Sequence, residues 1–132
     1  MKQLTQKTQQ PTKKTQQAIM QHTLQDLSDR LCDWLDIPSR RWPQVQYGGH
    51  APCRGAPLGA YRGSDEQDKP GVLWISRQRC QSFELARKTL WHEMGHVLLE
   101  DKLGLRMPED EADLICDQFE LIFEAMYRNE EF

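Results

Sequence analysis

His92-Glu93-Met94-Gly95-His96 sets two imidazoles four residues apart with a carboxylate between them. On a helix, positions i and i+4 project from one face about one turn apart, so both rings can reach a single tetrahedral Zn2+ at about 2.0 to 2.1 Å. The intervening Glu93 then stands beside the metal without binding it, where it can take a proton from an activated water. Shuffling this composition yields the pattern in only about one sequence in a hundred, which makes chance a poor explanation.

Two histidines leave a catalytic zinc one protein ligand short. The nearest source is Glu109-Asp110-Glu111-Ala112-Asp113, thirteen to seventeen residues beyond His96. A carboxylate there can return to the metal if two helices form an antiparallel hairpin around the turn at 104–108. Glu109 and Asp113 lie i,i+4 on one face, so one can ligate while the other orients a ligating imidazole. Glu109 is read as the ligand and Asp113 as the orienting group. Glu111 stays open as an alternative ligand, and acidic residues also favour the first turn of any helix because of its dipole. Glu100 is a weaker candidate, one turn beyond His96 on the same rigid element.

The elements that must hold these groups can be read around them. Ser82 is an N-cap candidate for a helix over 82–103 that carries Leu85, Leu90, His92, His96 and Leu99 and stops at Gly104. Pro108 opens another over 108–128, with Ala112, Ile115, Cys116, Phe119, Ile122, Phe123 and Met126 at intervals of three and four. Val72-Leu73-Trp74-Ile75-Ser76, launched by Pro70-Gly71, reads as a strand. The Pro- and Gly-rich stretch 38–71 predicts loops around short strands at Val45–Tyr47 and Leu58–Tyr61. Ile19, Thr23, Leu27, Leu31 and Leu35 step by four and predict a helix over 18–36, stopped by Pro38. The first seventeen residues hold six Gln, four Thr and four Lys and almost nothing apolar, which predicts a disordered tail 1–17 ahead of one domain over 18–132.

This order resembles the ImmA/IrrE family of zinc metallopeptidases. The likeness rests on the apolar strand 72–76, the helix His92-Glu93-Met94-Gly95-His96-Val97-Leu98-Leu99, a short turn, and Glu109-Asp110-Glu111-Ala112-Asp113-Leu114-Ile115-Cys116. It covers about 72–128 of the chain. The family pattern has Leu at the place of Met94, often His at Glu100, and Phe-Ala at Ile115-Cys116. The resemblance implies a small zincin-like α/β (α+β) fold, its active-site helix packed on a short mixed sheet and followed by a C-terminal helix. It also implies the first glutamate, Glu109, as third ligand, and a protein substrate of regulatory kind.

Length and composition agree with one domain: 132 residues, 38% hydrophobic and a net charge of -3. No run approaches the roughly 18 apolar residues of a bilayer span, and no apolar leader precedes the domain. Cys32, Cys53, Cys80 and Cys116 form no CxxC pair, so reduced thiols in a cytoplasmic protein are expected. Four lysines and no acid fall in 1–25, while 100–132 carries three basic residues against eleven acidic. Lysines so diluted by Gln and Thr give little counterion-release binding, so no nucleic-acid partner is expected. Of the other polar groups, His22 and His50 read as solvated. Nothing in their spacing ties Cys53 or Cys80 to the metal. Tyr61, His50 and Tyr127 are equal candidates for a transition-state hydrogen-bond donor.

The reading that results is a zinc metalloendopeptidase. His92, His96 and Glu109 would hold Zn2+, water would become acidic near pH ~7 on the metal, and Glu93 would take its proton and return it to the leaving amine. An extended substrate would add to the edge of the strand 72–76. The alternatives are a zinc-stabilised binding module without activity and a nucleic-acid-binding regulator.

Overall fold

The computed structural model describes residues 12–49, 57–66 and 68–132, a mixed α+β fold of three helices and one three-stranded sheet. Helix α1 (Lys13–Trp34) begins where the Thr12 hydroxyl accepts a hydrogen bond from the Thr15 amide at 3.1 Å. It starts five residues before the position that periodicity suggested, so 13–17 are helix and not tail. Polar Lys and Gln are good helix formers, and a capped solvated turn needs no apolar anchor. The buried stripe is also rotated from expectation: Leu24, Leu27, Ser28, Leu31 and Cys32 face inward, and Ile19 is exposed. Asp36, at φ 61°, ends the helix in the left-handed region, with Asp36 N–H bonded to Asp33 O at 3.1 Å and Ile37 N–H to Cys32 O at 3.0 Å.

Strands β1 (Gln44–Gly48), β2 (Gly59–Arg62) and β3 (Val72–Ser76) form a sheet of order β1-β3-β2, with β1 parallel and β2 antiparallel to β3. The five-residue apolar run is therefore the central strand. Both its edges are paired, which corrects the expectation that a substrate would add to it. The outer edge of β1 is closed as well, by two glutamines of α1. Gln21 donates to Val45 O at 2.7 Å and accepts from Tyr47 N–H at 2.7 Å; Gln25 accepts from Val45 N–H at 2.8 Å and donates to Pro43 O at 3.1 Å. Side-chain amides thus take the place of a fourth strand. On β2, the bond from Ser76 N–H to Leu58 O at 2.8 Å sets the alternation, so Gly59 and Tyr61 turn their backbone polar groups away from β3. Among the described residues those groups have no partner, and β2 is the open edge.

Helix α2 (Phe83–Val97) starts at Ser82, whose hydroxyl accepts from Leu85 N–H at 3.1 Å, and runs into a single π turn at Leu98–Lys102. Helix α3 (Glu109–Arg128) follows Pro108 and packs principally on α2. The core joins Leu24, Leu27 and Leu31 of α1 and Val45, Leu73 and Ile75 of the sheet to Leu90, Trp91, Met94 and Val97 of α2 and Phe123 and Met126 of α3. No helix of the described residues is long and apolar enough to cross a membrane.

A buried ion pair joins α2 to α3. Arg87 Nε and Nη2 donate to the two oxygens of Glu124 at 2.9 and 2.7 Å, Trp91 Nε1 donates to it at 2.9 Å, and Arg128 Nε does so at 2.9 Å. Chiefly through the Arg87 bonds, Glu124 is held down at about pKa 2. A carboxylate depressed in the folded state contributes stability above its unfolded pKa, and this is lost as pH falls from about 4.5 to about 2. We expect Glu124→Gln to lower stability at pH 7 by about 3 kcal/mol, since it leaves Arg87 buried without its counterion. It should also flatten the acid limb of the stability profile in that window; denaturant titrations of both proteins from pH 2 to 7 measure the two effects.

Candidate metal centre

Within α2, His92 and His96 stand one turn apart, their rings 5.5 Å between centroids and inclined at 65°. Gly95, beside His96, meets α3. A Cβ at that position would lie 2.9 Å from Cys116 Sγ, 3.1 Å from its Cβ and 3.2 Å from its Cα, so the two backbones touch where only glycine fits. This contact lays the first turns of α3 over the histidines, as the hairpin requires.

The carboxylate that arrives there is that of Asp113. Its Oδ1 lies 3.2 Å from His92 Nε2 and 3.0 Å from His96 Nε2. Two ligands on a tetrahedral zinc with bonds of 2.0 to 2.1 Å are separated by about 3.3 Å, so this donor set has the spacing and the chemistry of a zinc site. Asp117, one turn along α3, stands 3.0 Å from the other ring nitrogen of His92, Nδ1. A carboxylate at Nδ1 fixes the tautomer that leaves Nε2 free to ligate. Two sets among the described residues could hold a metal ion: His92, His96 and Asp113, and His92 with Asp117 and Glu120.

The other acidic residues named from the sequence fall elsewhere. Glu109 is exposed and lines the same cleft as the histidines, without a place in either set. Glu111 is exposed on α3, outside the cleft wall. Glu100 lines the cleft from the π turn. Asp117 was missed by sequence reading, although its spacing of four from Asp113 repeats the i,i+4 relation used for Glu109 and Asp113.

Glu93 is 7% exposed between the two histidines, and burial pushes its carboxyl up to about 7 despite the opposing influence of the imidazoles. That is the range in which a carboxylate can both take and return a proton near neutrality. Gly59 packs β2 closely beside it: a Cβ there would sit 2.7 Å from Thr89 Cγ2, 2.9 Å from Trp74 O and 3.3 Å from Glu93 Cγ. The cleft between β2 and the histidines measures about 890 Å3.

Tyr61 lines this cleft, but its hydroxyl is already donated to Asp101, and burial with that bond raises its pKa far above the usual phenol value. The side chain of Asp101, on the π turn, is 3% exposed and also pairs with Arg41 at 2.5 Å. Arg41 in turn donates to the carbonyls of Glu66 at 2.8 Å and Lys69 at 3.2 Å. Tyr61 is thereby a brace for β2. Tyr127 packs on Trp91 and under Arg87 in the core, away from the cleft. His50 and Cys53 lie outside the described residues, Cys80 is buried against Thr89, and His22 is exposed on α1.

Comparison with protein-family models, curated proteins and solved structures returns no match. We expect Gly95→Ala to force α3 away from α2 at Cys116, lowering stability by about 1 to 3 kcal/mol and weakening zinc binding about tenfold or more as Asp113 withdraws. Thermal unfolding and chelator-competition titration check both; a lower melting temperature with unchanged zinc affinity would break the link between that contact and the metal.

Proposed function

We propose that the chain is a zinc-dependent metallopeptidase with a zincin-like, ImmA/IrrE-type centre that hydrolyses a peptide bond in a regulatory protein. The observation that carries the reading is the convergence of Asp113 Oδ1 on both imidazole Nε2 atoms beside a buried carboxyl, Glu93. His92, His96 and Asp113 would hold Zn2+, and Asp117 would orient His92. This moves the third-ligand role from Glu109, to which the family resemblance points, onto Asp113, and moves the orienting role from Asp113 onto Asp117. When bound, Zn2+ supplies Lewis acidity, which makes water nucleophilic near neutral pH and polarises a carbonyl.

The rest is the work of the chain. Glu93 accepts the proton of the attacking water and gives it to the departing amine as the C–N bond breaks. The free edge of β2 offers the backbone groups of Gly59 and Tyr61 to an extended peptide, laying it beside Glu93. The Asp101 brace on Tyr61 and Arg41 holds that edge at a fixed distance from the histidine-bearing helix.

Three substitutions test the assignment. Glu93→Gln should retain about one zinc per chain and the fold, and lower peptide hydrolysis by roughly 10²- to 10⁴-fold. Asp113→Asn should lose zinc, and thermal stability with it, because a ligand charge is removed. Glu109→Gln should keep zinc. Elemental analysis and unfolding with and without chelator read the metal; cleavage of a substrate found by comparing cells with wild type and Glu93→Gln reads the activity. Loss of zinc in Glu109→Gln with retention in Asp113→Asn would reverse the ligand assignment. A substrate bound by both wild type and Glu93→Gln but cut by neither would make the zinc structural.

A further inference from the structure

Helix α3 carries more apolar surface than its contact with α2 uses. Ala112, Cys116, Phe123 and Met126 are buried against the domain, with Phe119 half-buried beside them. Leu114 and Leu121, opposite that face, are 69% and 64% exposed, and Ile122 and Ile115, on its flank, are 51% and 37% exposed. These fall as two pairs seven residues apart, with exposed Gln118 and Ala125 between and beyond them. In heptad terms Leu114 and Leu121 occupy d, Ile115 and Ile122 occupy e, and Glu111, Gln118 and Ala125 occupy a. Single exposed leucines are ordinary, but four large aliphatics along one seam of one helix mark an interaction surface.

Charge selects the occupant. The seam is bordered at g by exposed Asp110 and Asp117, and α3 as a whole has seven acidic residues against the single base Arg128. A second copy docked antiparallel would set these carboxylates against their own equivalents, which is repulsive. We propose that the outer face of α3 docks an amphipathic helix of a partner protein, with apolar residues at its a and d positions and Lys or Arg along its flanks. The apolar seam supplies the contact and the acidic border fixes orientation and excludes acidic helices. None of its four aliphatic side chains belongs to the histidine cleft, and of its acidic border only Asp117 also meets His92.

The test uses two 21-residue helical peptides with leucine at a and d, one carrying lysine and the other glutamate at the remaining positions. Fluorescence anisotropy with the full chain should find the lysine peptide bound about tenfold or more tightly than the glutamate peptide. Leu114→Asn with Leu121→Asn should weaken the lysine peptide about tenfold or more, as loss of central apolar anchors does. Circular dichroism confirms that the doubly substituted chain is folded. Asp110→Lys with Glu111→Lys leaves the apolar seam intact and should shrink or reverse the preference between the peptides. Equal binding of both peptides, or binding of the lysine peptide untouched by both pairs of substitutions, would overturn the proposal. So would a wild-type dimer in sedimentation velocity that Leu114→Asn with Leu121→Asn converts to monomer, because the seam would then belong to a second copy.

Discussion

Where Gly95 passes Cys116, α2 and α3 approach until no side-chain atom would fit between them, and the remainder of the centre follows from that contact. His96 is adjacent to Gly95 in sequence, and Asp113 lies three residues before Cys116, one turn toward the start of α3. Backbone contact at one point therefore brings a carboxylate on one helix to two imidazoles on the other. The buried Arg87–Glu124 pair ties the same two helices nearer the far end of α3, and Trp91 donates to the same carboxylate. A bidentate pair has directional demands that apolar packing lacks, so it fixes the rotation of α3 about its axis as well as its distance. With both fixed, Asp113 and Asp117 fall on the two nitrogens of His92.

The sheet is constrained in a complementary way. Three strands present two edges, and unpaired edges invite pairing with another chain. Gln21 and Gln25, spaced by four on α1, close the edge of β1 by imitating a strand with their amides. The edge of β2 is left open, and it is the one that runs beside Glu93. Asp101 then holds β2 to the end of α2 through Tyr61, and the π turn that carries Asp101 displaces this residue from the helical path that His92 and His96 follow. One acidic residue thus serves the cleft by placing its wall, while others on the same cleft stand exposed at its rim.

Much of the architecture was legible because local chemistry determined it. Ser82 caps α2 and Pro108 begins α3 where their residue types require; the strand 72–76 formed from an apolar run; and His92, Glu93 and His96 share a helical face by the arithmetic of 3.6 residues per turn. The start of α1 was less legible, since a capped polar helix and a polar tail differ little in composition. On α3 the apolar positions cover too wide an arc to be one stripe, and sequence periodicity merged the buried Ala112, Cys116, Phe123 and Met126 with the exposed Ile115 and Ile122.

The identity of the carboxylate facing the histidines was beyond the sequence. Glu109, Glu111 and Asp113 share a turn or so of one helix, and which of them meets His92 and His96 depends on the rotation and the height at which α3 docks on α2. Those two quantities are set by Gly95 against Cys116 and by Arg87 with Glu124, pairs separated by 21 and 37 residues along the chain. The same holds for the sheet: the apolar run determined that β3 exists, while its central place and the open edge of β2 came from pairing among strands and from glutamines on a distant helix. Sequence by itself determined the helices, the strand and the histidine-glutamate-histidine face, because each is governed by neighbours within a turn or two. The tertiary structure decided which carboxylate meets the histidines and which strand edge is left open, because both depend on the docking of whole elements.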